Sequence, residues 1–218
     1  MTSTLTDGKI AAALERMYAE ATEQFRGPGP NFDPAIFERG TAQERADAVD
    51  EIYMPISPEA GKLMYSLIRA AKPQTVVEFG MSYGVSTIHL AAAVRDNGAG
   101  HVYTTELSAK KIAVATATFA ELGLADVITV LEGDALTTLP TVDGPIGVVL
   151  MDGWKEMYLP VLGSVESKLV AGSLVIADNT SFADTQPYLD HVRDPANGYV
   201  SLNFPARSND SMELSCRV

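Results

Sequence analysis

From residue 75 onward, short β-branched runs alternate with stretches of helical period, and this alternation constrains the fold more than any other feature of the chain. Residues 75–79, 101–106, 127–131, 146–151 and 174–177 read as strands. Residues 85–94, 108–122, 155–169 and about 183–193 read as helices between or after them. Strands separated by helices imply a parallel sheet covered on both faces. Two last strands, 199–204 and 212–218, follow one another without a helix, which predicts an antiparallel hairpin at one edge. Upstream, residues 9–25 carry Ile10, Leu14, Met17, Tyr18 and Phe25 at helical spacing, and Gly27-Pro28-Gly29-Pro30 stops that helix. A second, mostly polar helix is expected over 34–50, opened by Asp33-Pro34, as a surface or lid element. Ser57 is the expected N-cap of a third helix.

The chain has 218 residues, enough for one α/β domain. We expect residues 1–51 to form a helical cover and 52–218 the core. No repeat of fixed period is present. The 16 basic residues against 28 acidic ones leave a net charge of −12. That field repels nucleic acid and anionic membranes, so neither is an expected partner. The one cysteine, Cys216, excludes an internal disulfide framework and a cysteine-rich zinc site, and fits a reducing compartment. No basic-then-apolar leader opens the chain and no apolar run is long enough to span a bilayer, so a cytoplasmic location is expected.

The chemistry sits at the expected strand ends. Glu78-Phe79-Gly80-Met81-Ser82-Tyr83-Gly84-Val85-Ser86 is a strand end, a glycine turn and a helix start. In an open α/β sheet, ligands lie outside the carboxyl ends of the strands. The spacing G-x-x-x-G departs from the dinucleotide pattern G-x-G-x-x-G, and the Glu78 carboxylate before the turn opposes a pyrophosphate while suiting a cationic ligand. Glu106 ends the next strand, where an acid accepts hydrogen bonds from ribose hydroxyls. Asp134 and Ala135 follow the third strand. A single such acid is explained as well by a helix cap, but three at consecutive strand ends point to a nucleoside site.

The fourth and fifth strands stop on Asp152 and on Asp178-Asn179. If those strands are neighbours, two carboxylates and an amide oxygen converge. That hard oxygen set suits Mg2+ or another divalent cation and does not suit zinc. Taken singly, each residue reads equally well as a cap or a loop signal. His89, His101 and His191 lack metal-ligand spacing and read as structural, and the eight methionines read as core filling.

Strand-E-F-G-x-x-x-G, an acid ending the second strand and G-D-A resemble the class I methyltransferases that use S-adenosylmethionine. Asp152-x-Trp154-Lys155-x-x-Tyr158-Leu159-Pro160, followed by Ala177-Asp178-Asn179, is similar to catechol O-methyltransferase, and the similarity runs from about residue 52 to the C-terminus. The resemblance implies a doubly wound, Rossmann-like fold with a mainly parallel seven-stranded sheet. It implies that Glu78, Gly80, Tyr83 and Ser86 border the amino-acid part of the cofactor, and that Glu106 with Leu107 holds the ribose. Asp134, Ala135 and Trp154 would face the adenine. Asp152 would border the cofactor and, with Asp178 and Asn179, bind the metal. Lys155 would take the proton from the hydroxyl to be methylated. Ile52, Met54 and Ile56 stand where the family's segment borders cofactor and substrate, and read equally well as an ordinary buried loop. A lysine beside a cation and partly withdrawn from water can serve as such a base.

Two departures bear on the substrate. The family's His between the Asp and the Trp is Gly153, which is expected to open space beside the cofactor. No Glu in 201–210 matches the family's substrate-side glutamate. The expected reaction is metal-dependent methyl transfer to a catechol-type aromatic hydroxyl, by a monomer or homodimer. A larger hydroxylated natural product or a CoA-linked phenol is the alternative acceptor. A nucleotide-binding oxidoreductase is opposed by the glycine spacing and Glu78, and a module that only binds the cofactor would need neither Lys155 nor the oxygen set.

Overall fold

A computed structural model of the chain describes residues 3–26, 35–207 and 209–218. Its seven strands form one sheet in the order β3-β2-β1-β4-β5-β7-β6. The strands are β1 (Thr75–Phe79), β2 (His101–Glu106), β3 (Ile128–Glu132), β4 (Ile146–Met151), β5 (Leu169–Ala177), β6 (Tyr199–Arg207) and β7 (Asp210–Arg217). The first five run parallel, and β7 pairs antiparallel with both β5 and β6. The expected doubly wound sheet with an antiparallel C-terminal edge is therefore the observed one. The strand order reverses between β1 and β4, which opens a crevice at their carboxyl ends.

The continuous apolar runs are explained by burial on both faces. On one face Val76, Val102, Val148, Leu150 and Ile176 pack under α4 (Pro58–Ala71), α5 (Val85–Asn97) and α6 (Ala109–Glu121). On the other, Val77, Val149, Met151 and Val175 pack under α7 (Ala135–Thr138), α8 (Tyr158–Val165) and α9 (Gln186–Arg193). Helix α1 (Gly8–Gln24) adds Ile10, Leu14 and Met17 to the first layer. Ser57 caps α4 as expected, accepting the Ala60 N–H at 3.1 Å. No helix among the described residues is long and apolar enough to cross a membrane.

Several boundaries differ from the sequence reading. The single helix expected over 34–50 is two, α2 (Ala35–Arg39) and α3 (Ala42–Ala48). Thr41 starts the second, because its hydroxyl accepts the Glu44 N–H while the Glu44 carboxylate accepts the Thr41 N–H. The expected stop at Gly27-Pro28-Gly29-Pro30 and the start at Asp33-Pro34 lie outside the described residues. The helix expected over 155–169 ends at Lys168, in short 3₁₀ turns on either side of α8, and Leu169 already belongs to β5. Strand β5 is longer than its apolar stretch because its first half, exposed at Val170–Gly172, extends beyond the core. Cys216 is half-buried rather than part of the core.

Candidate active site

The carboxyl ends of the parallel strands open into a chamber of about 810 Å3. Ile56, Gly80, Tyr83, Ser86, Glu106, Leu107, Asp134, Ala135, Asp152, Trp154, Lys155, Asp178 and Asn179 all border it. Of the residues singled out from sequence for the site, Glu78 and Ile52 do not. The Glu78 carboxylate is fully buried beneath the turn, where the Thr87 and Thr104 hydroxyls each donate to Oε2 at 2.5 Å. Burial pushes its pKa up, and Oε1 has no hydrogen-bond partner among the described residues.

The glycine turn is imposed by crowding. Gly80 has φ +98°, and a Cβ there would stand 2.7 Å from the Asp152 carbonyl oxygen and the Gly153 nitrogen. Beyond it, Ser82 donates its backbone N–H to Glu106 Oε2 at 2.8 Å, while Leu107 and Ser108 donate theirs to Oε1 at 2.8 and 2.9 Å. Three backbone donors thus hold the Glu106 carboxylate at the end of β2. The Ser82 hydroxyl is buried without a hydrogen-bond partner among the described residues. Tyr83 borders the chamber with its ring, but its hydroxyl is committed to the Asp50 carbonyl at 2.6 Å and its ring stacks on Tyr53. Asp134 is an N-cap, accepting the Leu136 N–H at 2.9 Å, so the plain explanation for this acid holds beside its place on the chamber wall. Lys111, buried in α6, sets its amine 5.6 Å from the Tyr83 ring centroid; burial lowers its pKa against the pull of Glu106 and Asp50.

At the other end of the chamber the register of β4 and β5 pairs Met151 with Ala177, so Asp152 and Asp178 leave adjacent strand ends side by side. Burial drives both pKa values up, that of Asp152 to about 7, and for Asp152 the Asp178 charge adds to the rise while Lys155 opposes it. Asn179 adopts φ +55° and donates its amide Nδ2 to Asp210 at 2.5 Å. Among the described residues, no three His, Cys, Asp or Glu gather into a metal cluster. Lys155 Nζ stands 3.4 Å from Asp152 Oδ1 and donates to Tyr158 Oη at 2.9 Å. Tyr158, fully buried, donates in turn to the Asp178 carbonyl at 2.9 Å.

Gly153 does not open space beside the chamber, contrary to expectation. A Cβ there would meet the Phe79 ring at 2.5 Å, so a bulky residue at 79 fills what a side chain at 153 would occupy. The N-terminal helices close the chamber. Tyr18 and Phe25 from the α1 region and Ala46 of α3 border it. Phe37 meets the Trp154 ring edge-on at 5.9 Å, and the Arg45 guanidinium lies 5.0 Å from the same ring centroid while pairing with Glu156. Ile52 is core and Met54 is exposed at the rim.

Sequence reasoning missed Tyr158, Tyr18, Ser82, Lys111 and Arg207. Tyr158 stood in the quoted motif, three residues past Lys155. Arg207 gave no signal, because its contact with the Pro55 carbonyl, 2.8 Å, joins residues 152 apart.

Residues 77–180 match the family described as "Methyltransferase domain". Catechol O-methyltransferase B of Danio rerio is 27% identical over 195 residues, covering 81% of this chain and 73% of that protein. Catechol O-methyltransferase of Mycobacterium tuberculosis is 32% identical over 148 residues, 67% of this chain and 65% of that protein. The crystal structure of cofactor-bound Rv0187 from MTB superposes with a TM-score of 0.68 at 26% identity, covering 91% of this chain and 95% of that one. Fold, site and these likenesses agree: the chain carries a methyltransferase domain and resembles the class I S-adenosylmethionine-dependent O-methyltransferases, the catechol O-methyltransferases among them.

Proposed function

We propose that the protein transfers a methyl group from S-adenosylmethionine to one hydroxyl of a catechol-type aromatic, with a divalent ion held by Asp152, Asp178 and Asn179 and with Lys155 as the base. The observation that carries this reading is the meeting of Asp152 and Asp178 at adjacent strand ends with Lys155 Nζ 3.4 Å from Asp152, in the same chamber as Glu106.

The residues present fit both groups. Two buried carboxylates with raised pKa values are a donor set that a hard divalent ion stabilises. The Asn179 amide nitrogen is turned to Asp210, and its carbonyl oxygen is the atom of the correct kind for such an ion. Ser82 Oγ, on the chamber wall, is a buried donor without a partner among the described residues, a loss on the order of 1–3 kcal/mol. The carboxylate of the cofactor's amino-acid end would accept from it. When bound, the sulfonium supplies the methyl group, and the divalent ion lowers the pKa of the catechol hydroxyls and orients them.

The chain's own part is positioning and one proton. Lys155 Nζ takes the hydroxyl proton. Tyr158 holds that nitrogen from one side and is itself anchored on the Asp178 carbonyl, which keeps the base beside the ion site. The helical cover excludes water, which strengthens every charge interaction within.

The test is product formation from catechol and labelled cofactor, with and without a chelator, for wild type and Lys155→Met. Turnover should vanish in the chelator and fall about 100-fold or more in the variant, the scale of general-base catalysis. Calorimetric affinity for S-adenosylhomocysteine should hold in the variant. Full activity in the chelator refutes the metal role, and parallel loss of turnover and affinity refutes the base.

A further inference from the structure

Arg207, at the end of β6, borders the chamber beside Asp178, and neither the proposed methyl transfer nor the ion site uses it. Its guanidinium presents five N–H groups in a planar fork. One donates to the Pro55 carbonyl at 2.8 Å. The Asp178 carboxylate stands at 3.8 Å, beyond a hydrogen bond. The Arg207 side chain is 43% exposed, open to whatever enters.

Tyr18, from α1, borders the same chamber. Its hydroxyl is buried and has no hydrogen-bond partner among the described residues. Arg207 and Glu59 are the charged groups that act on it, in opposite senses, while burial dominates. The buried hydroxyl is costly to leave unmatched, and the Arg207 guanidinium lines the same chamber with N–H groups to spare. Resting on the function proposed above, we infer that the aromatic acceptor carries a carboxylate, which Arg207 and Tyr18 receive.

The chemistry selects a carboxylate over the other ring substituents. Arg207 supplies paired donors that match its two oxygens, and the Tyr18 hydroxyl supplies a further donor. The first turn of the 14-residue helix α4 also faces the chamber through Ser57 and Pro58, and its positive end favours an anion. Glu59 in that turn and Asp178 oppose one. Asp178 is shared with the ion site and Lys155, so Glu59 is the remaining opponent. A protonated amine would instead meet the guanidinium head-on, and a neutral alkyl substituent would leave the Tyr18 hydroxyl unmatched.

The experiment compares 3,4-dihydroxybenzoate and 3-(3,4-dihydroxyphenyl)propanoate with neutral 4-methylcatechol and cationic dopamine. Steady-state rates are read at saturating cofactor. Calorimetric binding of the same acceptors is read on the complex with S-adenosylhomocysteine and Mg2+. Specificity should run anionic, then neutral, then cationic, with about 10-fold or more between the first two, the scale of a charge-assisted hydrogen bond. Arg207→Gln should cut the anionic-to-neutral ratio of kcat/KM about 10-fold or more, through KM. Tyr18→Phe should cut it less, roughly 3-fold. Equal preference for all acceptors in the wild type overturns the inference. So does an Arg207→Gln variant that loses neutral and anionic acceptors alike, since Arg207 would then only brace the Pro55 segment. If no catechol is methylated, the proposed function fails, and the binding arm still decides this inference: dihydroxybenzoate should bind wild type and not Arg207→Gln. Retained S-adenosylhomocysteine affinity in each variant verifies folding.

Discussion

Replacing Gly153 by Ala places a methyl group against the edge of the Phe79 ring, at 2.5 Å from two ring carbons and 2.8 Å from a third. Phe79 has little room to yield, being 8% exposed and packed edge-on against Tyr158 at 6.4 Å. Overpacking of this kind costs about 1–3 kcal/mol. Gly153 is not in the left-handed region, so Ala brings no backbone strain and recovers about 0.4–1 kcal/mol from the unfolded chain. The net loss should be about 1–2 kcal/mol, or a fall in Tm of roughly 2–8 °C for a chain of this size. Phe79→Leu removes the ring edge and should rescue the loss. The double variant should therefore be more stable than additivity predicts by about 1 kcal/mol, well beyond the roughly 0.5 kcal/mol scatter of independent sites. Guanidinium unfolding of the four proteins at one pH measures the cycle. A neutral Gly153→Ala, or additivity within that scatter, would show that residues 79 and 153 do not share one volume. Because Asp152 and Trp154 flank the position, the single variant should also raise KM for the cofactor, and the double variant should restore it.

The other predictions concern charge and proton position. The Asp152 carboxyl keeps its proton up to about pH 7 in the folded chain, whereas an unfolded aspartate releases it near pH 4. Its contribution is thus complete below pH about 4 and is lost as pH rises through 7. On the order of 2–4 kcal/mol should disappear from wild type in chelator between pH 4.5 and 8, and not from Asp152→Asn. Urea titrations at several pH values measure this, and added Mg2+ should flatten the wild-type curve alone; a parallel pH dependence in the two proteins would sink the argument. Tyr158→Phe removes the hydroxyl that holds Lys155 Nζ, and turnover should drop about 10-fold with S-adenosylhomocysteine affinity retained. Glu213, 1% exposed, accepts two hydrogen bonds from Arg193 at 2.8 and 2.7 Å. Arg193→Leu strands that carboxylate and should cost about 3 kcal/mol in urea unfolding, the lower end for a broken buried pair because Asn203 still donates at 2.9 Å. A loss under 1 kcal/mol would mean that water reaches Glu213.

Local pattern was enough for most elements because their periodicity and their caps are properties of adjacent residues. Ile146–Met151 has the bounds that its apolar run implies, and Ser57 caps the helix it precedes. The misread helix over 34–50 had a local cause too, since Thr41 and Glu44 form a capping box three residues apart within a polar stretch. The start of β5 was obscured because Leu169 and Val170 continue the apolar run of the preceding helix and Gly172 interrupts the strand before Leu174. The chemistry-bearing acids were legible for a topological reason. A parallel sheet gathers its strand carboxyl ends on one side, so Glu106, Asp134, Asp152 and Asp178 had to share a neighbourhood once β4 and β5 were neighbours.

The amino-acid sequence by itself thus determined the alternating strands and helices, the glycine turn, and the acids and lysine at the strand ends, because each is written in residues within one turn or one strand of each other. Only the tertiary structure decided what those groups face. It buried Glu78 beneath the turn, filled the space at Gly153 with a ring from β1, set Tyr158 behind Lys155, and closed the chamber with Tyr18 and Trp154 held by the N-terminal helices. It also carried Arg207 to the Pro55 carbonyl. Except for the Lys155–Tyr158 pair, those contacts join residues far apart in the chain, and their energies depend on burial and distance, which no local pattern encodes.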